Sequence, residues 1–221
     1  MKDHYDAGNY SVLEIDRSDL GLMKQYEKIL RQSYETLGFF KPSILPGPDT
    51  QCFGLFFNGN MEGTLGLCEP QQDSETKPYL RYLPDIGQIP KLLEATNVVL
   101  TPKLRGSIAI GILLREAATR AIDGGFDFVV GITRYQTLRY FVEFGLVPID
   151  HPPLHLLGRD DVDDWIMYYR TSERSAAAYL KERSDRYFHQ QKTMNAIRQR
   201  RKQAESLHNT VRHGILSHVS V

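Results

Sequence analysis

Residues Glu94–Ala118 read EATNVVLTPKLRGSIAIGILLREAA, and this stretch decides how the rest of the chain is arranged. Asn97-Val98-Val99-Leu100 is a short apolar run of the kind that forms a buried strand. Thr101-Pro102 ends it, because proline brings no N–H to a ladder. Ile110, Leu113, Leu114, Ala117 and Ala121 then recur at offsets of 3, 4, 7 and 11, which sets one face of a helix against a sheet. Between strand and helix lies a turn holding Arg105, Gly106 and Ser107. A helix N-terminus offers unpaired N–H groups and the positive end of a dipole, a physical fit for a phosphate.

Downstream, Asp127–Thr133 reads as a second buried strand, and Tyr135–Phe144 as a short helix ended by Gly145. Leu154–Leu157 and Trp165–Tyr169 read as late strands around the acidic turn Gly158–Asp164. Upstream, Ser11–Ile15 is a first short strand. Ser18-Asp19 supplies N-caps for a helix to about Leu37 with Leu22, Tyr26, Ile29, Leu30 and Tyr34 on one face, and Gly38 stops it. Phe53–Phe57 and Met61–Leu67 flank Asn58-Gly59-Asn60, a strong hairpin signal. Glu69–Pro90 is polar, carries four prolines and reads as a lid or an insertion. The pattern is α/β or α+β, a three-layer domain; it does not give the strand order.

With 221 residues, 41% of them hydrophobic, the chain has material for a real core. No apolar run is long enough to span a bilayer and the N-terminus has no signal-peptide pattern, so a cytoplasmic setting is expected. Cys52 and Cys68 both fall in strand-like runs and are expected to be reduced and packed. Zero formal net charge hides an asymmetry: residues 171–221 hold ten Lys and Arg against four Asp and Glu. That tail, helix-favouring from Ser172 to about His208, invites an acidic partner or the acidic body of its own chain. His151 and His155 lie four apart, but the prolines between them forbid a helix and no third ligand follows, so no metal site is expected. Walker, dinucleotide-binding and Gly-x-Ser-x-Gly signatures are absent. Nucleic-acid binding through Arg198–Lys202 ranks last, since stacking aromatics are sparse nearby.

Four pieces of the chain resemble the autoinducer-synthase group of the GNAT superfamily, which holds acyl-homoserine lactone synthases and N-acyl amino acid synthases. Asp49–Phe53 with Asn58–Leu65 resembles the group's early hairpin. Glu94-Ala95-Thr96-Asn97 resembles its Glu-x-Ser-Arg strand start, and Arg105-Gly106-Ser107 resembles the pantetheine-pyrophosphate turn. Gly131-Ile132-Thr133 with Leu138–Pro148 resembles its closing strand and helix. The resemblance spans Asp49–Gly158 and, more loosely, Val12–Pro48. It implies a GNAT-like α/β (α+β) domain over residues 1–171, with a central mixed, mostly antiparallel sheet flanked by helices, and a basic helical extension over 172–221.

The same resemblance implies transfer of a fatty acyl group from an acyl carrier protein or coenzyme A thioester to the amine of an amino acid or related small molecule, with no tightly bound cofactor. It makes Glu94 and Asn97 catalytic, and Val99, Leu100, Arg105, Gly106, Ser107 and Thr133 contacts of the thioester arm. Asp49 is a candidate for holding an acceptor ammonium, although Pro48-Asp49-Thr50 is also an ordinary turn. Phe141 stands where many members of the superfamily have a thiolate-protonating Tyr, with Tyr140 beside it. Ile108 and Ile110 replace the glycines that let a backbone approach coenzyme A phosphates, so acyl carrier protein ranks above coenzyme A as donor. Gly66 and Asn97 replace two arginines of the homoserine lactone synthases, which favours an amino acid or other small amine over S-adenosylmethionine.

Glu94 has a functional and a structural reading at even weight: a general base for the amine, or else an exposed strand-edge carboxylate or a partner for a nearby arginine. Thr133 reads more readily as a cap for the following helix than as a ligand to the acyl arm. Backbone N–H groups of Val98, Val99 or Leu100 are candidates for holding an oxyanion. The basic tail docks acyl carrier protein or is a solvated packed face. The chain is a monomer or homodimer. A different class also stands open, a GNAT-like binding or regulatory module with little or no catalysis.

Overall fold

The computed structural model describes residues 10–38, 44–71, 74, 76–151, 154, 155 and 163–172. The extension over 172–221 therefore lies, beyond its first residue, outside the described residues, as do Leu156 and Leu157 of one expected late strand.

Strand β1 (Tyr10–Ile15) leads into helix α1 (Leu20–Thr36). The Asp19 carboxylate accepts the N–H groups of Gly21 and Leu22, both at 3.0 Å, so the expected N-cap forms. Gly38, at φ +74°, takes the left-handed conformation that closes the helix. Strands β2 (Gln51–Phe57) and β3 (Asn60–Cys68) make the hairpin, turning at Asn58 (φ +52°) and Gly59 (φ +77°). Next come β4 (Leu92–Leu100), α2 (Ala109–Asp123), β5 (Phe128–Arg134), α3 (Tyr135–Glu143), β6 (Val147–Pro148) and β7 (Asp164–Arg170).

These strands form one seven-stranded sheet in the order β1-β2-β3-β4-β5-β7-β6. Strands β4 and β5 run parallel, and the other neighbours are antiparallel. The sheet is thus mixed and mostly antiparallel, as expected. Side-chain alternation divides its faces. Cys52 packs with Met23, Tyr26, Ile29 and Leu30 under α1. Phe53 turns to the opposite face, where the Arg120 guanidinium of α2 lies over its ring at 4.8 Å.

Several expectations need correction. Strand β4 begins at Leu92, so Glu94 lies inside a central strand and is only 7% exposed; it is no strand-edge carboxylate. Helix α2 buries a wider surface than one stripe, adding Ala109, Ile112 and Ala118, while Ile110 is only half-buried. Two-residue β6 adds a short edge strand, where Pro148 is tolerated because β6 ends the sheet. Leu154 makes only an isolated bridge to Asp164. The β3–β4 connection is not a loose lid throughout. It holds a 3₁₀ helix (Lys77–Tyr82) started by Pro78, whose Tyr79 packs against a cluster of Ile149, Leu154 and Ile166.

Candidate active site

Strands β4 and β5 pair from Leu92↔Phe128 to Ala95↔Gly131. Pairing stops there, although β4 continues to Leu100 and β5 to Arg134. The two strands therefore diverge, and a solvent-open cleft occupies the divergence. Its walls come from β4 (Ala95, Val98), α2 (Leu114, Ala117), α3 (Phe141) and the C-terminal half of β5, including Thr133.

A bulge in β4 accompanies the divergence. Gly66 faces Thr96 and Thr64 faces Val99, so Asn97 and Val98 together oppose Leu65. Asn97 takes φ +53°, and its carbonyl accepts the Thr64 hydroxyl at 2.8 Å. Beyond the bulge, the Thr101 N–H bonds the Glu62 carbonyl on the β3 side at 2.9 Å. Strand alternation then turns the Leu100 amide away from β3. The Val99 side chain packs on the α1 cluster.

On the other face of the sheet, opposite the cleft-lining Ala95, sits Glu94. Ser74 donates to both of its oxygens, at 3.0 and 2.9 Å, and Thr76 donates to Oε1 at 3.0 Å. Cys68 is the register partner of Glu94 on β3. Burial raises the Cys68 thiol, and the nearby Glu94 charge adds to it, bringing the pKa to about 11. Cys52 is raised too, by burial first, although Arg17 works against the shift. Both thiols are free, and neither is an activated nucleophile.

The remaining candidates are spread around this centre. Arg105 and Gly106 are exposed in the turn before α2, where Arg105 reaches the Leu100 carbonyl at 3.4 Å and the Ser33 hydroxyl at 3.5 Å. Ser107 spends its hydroxyl locally, donating to the Leu104 carbonyl at 2.6 Å and accepting the Ala109 N–H at 3.2 Å. Ile108 is 3% exposed, so the first of the two isoleucines in glycine positions is a core side chain. Thr133 is buried and shares a 2.8 Å hydrogen bond with Thr137; it does not cap α3, whose N-cap position is Arg134 and carries no side-chain cap. Asp49 is exposed in the turn closed by Thr50 N–H to Gly47 carbonyl at 3.1 Å, away from the cleft walls but within electrostatic reach of Cys68. The structure thus brings Val98, Thr133 and Phe141 to one cleft and sets Glu94 on the other face of the sheet. Sequence reasoning missed Ser74, Thr76 and Thr64. The first two lie in a polar segment without periodicity, and only the isolated Thr64 hydroxyl in an otherwise apolar strand offered a signal.

No protein-family model matches the sequence, and no curated protein matches it. Solved structures do share the fold. The N-acyl amino acid synthase FeeM from uncultured soil microbes aligns with a TM-score of 0.60 at 18% identity, over 74% of this chain and 92% of its own. The coenzyme A-dependent acyl-homoserine lactone synthase BjaI aligns with a TM-score of 0.58 at 16% identity, over 80% and 89%. An acyl-CoA N-acyltransferase from Pseudomonas aeruginosa aligns with a TM-score of 0.53 at 16% identity, over 72% and 98%. The chain therefore has a GNAT-type fold. Within that fold it is similar to structures of the autoinducer-synthase kind as well as to an acyl-CoA N-acyltransferase.

Proposed function

We propose that this protein is an N-acyltransferase that moves an acyl group from a thioester to the amine of an amino acid or related small molecule. The observation that carries the reading is the β4–β5 divergence, with an apolar cleft on one face and a buried carboxylate on the other. In this reading the acyl chain lies along Ala95, Val98 and Phe141, and the thioester carbonyl meets the Val98 or Leu100 amide. An N–H fixed in place before the reaction and aimed at a developing oxyanion stabilises it without reorganisation at the moment of transfer. The acceptor approaches from the Glu94 face, and Glu94 takes its proton. Asn97 shapes the bulge that aims the amides.

Donor and acceptor follow from what borders the gap. The buried Ile108 leaves no glycine at the start of α2 for close phosphate approach, which supports the pantetheine arm of an acyl carrier protein over free coenzyme A. Arg105 meets the phosphate of that arm, and the basic residues of 171–221 attract the acidic carrier. Gly66 has no room for the arginine of lactone synthases, since a Cβ there would lie 2.6 Å from Thr96 Oγ1 and 2.9 Å from Thr50 Cγ2. An amino acid acceptor is therefore favoured over S-adenosylmethionine.

The test is a mass-spectrometric product screen with carrier-protein and coenzyme A thioesters, pooled amino acids and S-adenosylmethionine. An acyl-amide product, with turnover lowered about 100-fold or more by Glu94→Gln, is expected. No product from folded protein across the panel would move the reading to a binding module.

A further inference from the structure

The turn that carries Arg105 is fastened at both ends. On the β4 side the fastening runs to Glu62 of β3. The Thr101 N–H bonds the Glu62 carbonyl at 2.9 Å, and the Thr101 hydroxyl donates to Glu62 Oε2 at 2.6 Å. Lys103 Nζ meets Glu62 Oε1 at 2.7 Å, where the Glu62 side chain is only 13% exposed. The same ammonium lies 5.3 Å from the centre of the Phe57 ring, so both strands of the β2–β3 hairpin grip the turn. Burial works against ionisation of Glu62, yet its bonds from Lys103 and Thr101 hold the carboxyl below its ordinary pKa. On the α2 side Leu104 is buried, and Ser107 donates to the Leu104 carbonyl at 2.6 Å while accepting the Ala109 N–H at 3.2 Å. Between these anchors Arg105 and Gly106 stay exposed. The Arg105 guanidinium meets the Leu100 carbonyl and the Ser33 hydroxyl at 3.4 and 3.5 Å, long for hydrogen bonds. The turn, more than these contacts, fixes where the charge sits.

We propose that Glu62 is a positioning residue for the acyl donor: it holds the turn so that Arg105 meets the phosphate of the thioester arm at one fixed place. This deepens the acyl-transfer reading and rests on it. Glu62 acts through Arg105 and not on the donor itself. Its negative charge would repel a phosphate, but the Lys103 ammonium and the Thr101 hydroxyl compensate it. Arginine binds phosphate through a planar fork, so the gain depends on where and how the guanidinium is presented. A turn cut loose from Glu62 presents it over a range of positions, and donor binding weakens. The chemistry after binding is untouched. Strand β3 then holds both ends of one β4 segment, Asn97 through the Thr64 hydroxyl and Thr101 through Glu62.

The experiment measures kcat and the KM of donor and acceptor for wild type, Glu62→Ala, Glu62→Gln, Arg105→Ala and the double variant Glu62→Ala with Arg105→Ala. Acyl carrier protein and coenzyme A thioesters serve as donors, and thermal unfolding checks folding. Arg105→Ala should raise the donor KM about 10-fold or more, the loss of a charge-assisted hydrogen bond. Glu62→Ala should raise it about 3- to 10-fold, with kcat and the acceptor KM nearly unchanged. Glu62→Gln should fall between it and wild type, since an amide has one acceptor oxygen for two donors. In the double variant Glu62→Ala should add nothing to Arg105→Ala, because it acts through a charge that is no longer there. Additive losses would overturn the proposal, and so would a wild-type donor KM in either single variant; each result leaves the acyl-transfer reading standing. Should Glu62→Ala fail to fold, Thr101→Val and Lys103→Met each remove one fastening and carry the same expectation of non-additivity. Absence of any acyl-amide from wild type would overturn both readings together.

Discussion

The Thr64 hydroxyl donates to the Asn97 carbonyl at 2.8 Å from a site with no solvent exposure, and so a neighbouring strand holds the residue at which β4 bulges. Asn97 is left-handed at φ +53°, a conformation that costs a non-glycine residue about 1–2 kcal/mol and persists only when its surroundings enforce it. Thr64→Val keeps the shape and deletes the donor. It should cost about 1 kcal/mol in denaturant unfolding, because a half-buried carbonyl loses this partner. Asn97→Gly, which removes the left-handed penalty, should be far milder; a larger loss there would show that the Asn side chain matters more than its backbone.

Gly66→Arg would restore the residue type that lactone synthases carry in this hairpin. The added Cβ alone meets Thr96 and Thr50 at 2.6 and 2.9 Å, closer than real contacts allow. The variant should be destabilised by at least about 1–3 kcal/mol and should not acquire lactone synthesis. A stable Gly66→Arg protein would mean that the hairpin and β4 yield more than their packing indicates.

Alkaline pH should destabilise the protein. Burial raises Cys68 to about 11 and also raises Cys52, Tyr26 and Tyr34. Each is neutral in its protonated form, so above its ordinary pKa the unfolded chain ionises while the folded chain resists. For Cys68 the stability is intact below about 9 and falls as pH climbs toward 11. Denaturant midpoints across pH 7–11 check the sign. In the same range Glu94→Gln should speed Cys68 alkylation, since it removes a charge that raises the thiol.

Phe141 lines the cleft where an acyl chain is proposed to lie. Phe141→Ala should shift preference toward longer chains, with each fitted methylene worth about 10-fold or more in relative kcat/KM. An unchanged profile over a series of thioesters would place the chain elsewhere.

Much of this fold could be read in advance because it rests on short-range physics. Asp19 caps α1, Asn58-Gly59 turns the hairpin, and the apolar spacing of α2 marks its core side. The site was less legible because it depends on where pairing stops. Nothing local in Ala95 or Gly131 says that they form the last rung of the parallel pair. Glu94 was noticed through its resemblance, yet its burial comes from hydroxyls 18 and 20 residues away, a distance that no periodicity spans. The bulge at Asn97 needed both strands in view, since a left-handed asparagine inside an apolar run carries no composition mark of its own.

Cys68 and Glu94 are register partners, so the long β3–β4 connection leaves and rejoins the sheet at adjacent strands. Its ends are fixed by the ladder, while its interior supplies the hydroxyls over Glu94. In engineering terms this is an exchangeable cassette: a different connection could be grafted between the same two strands to alter what reaches the carboxylate. Under the proposed function selection has the same freedom, because this segment can change while the sheet around the cleft stays as it is.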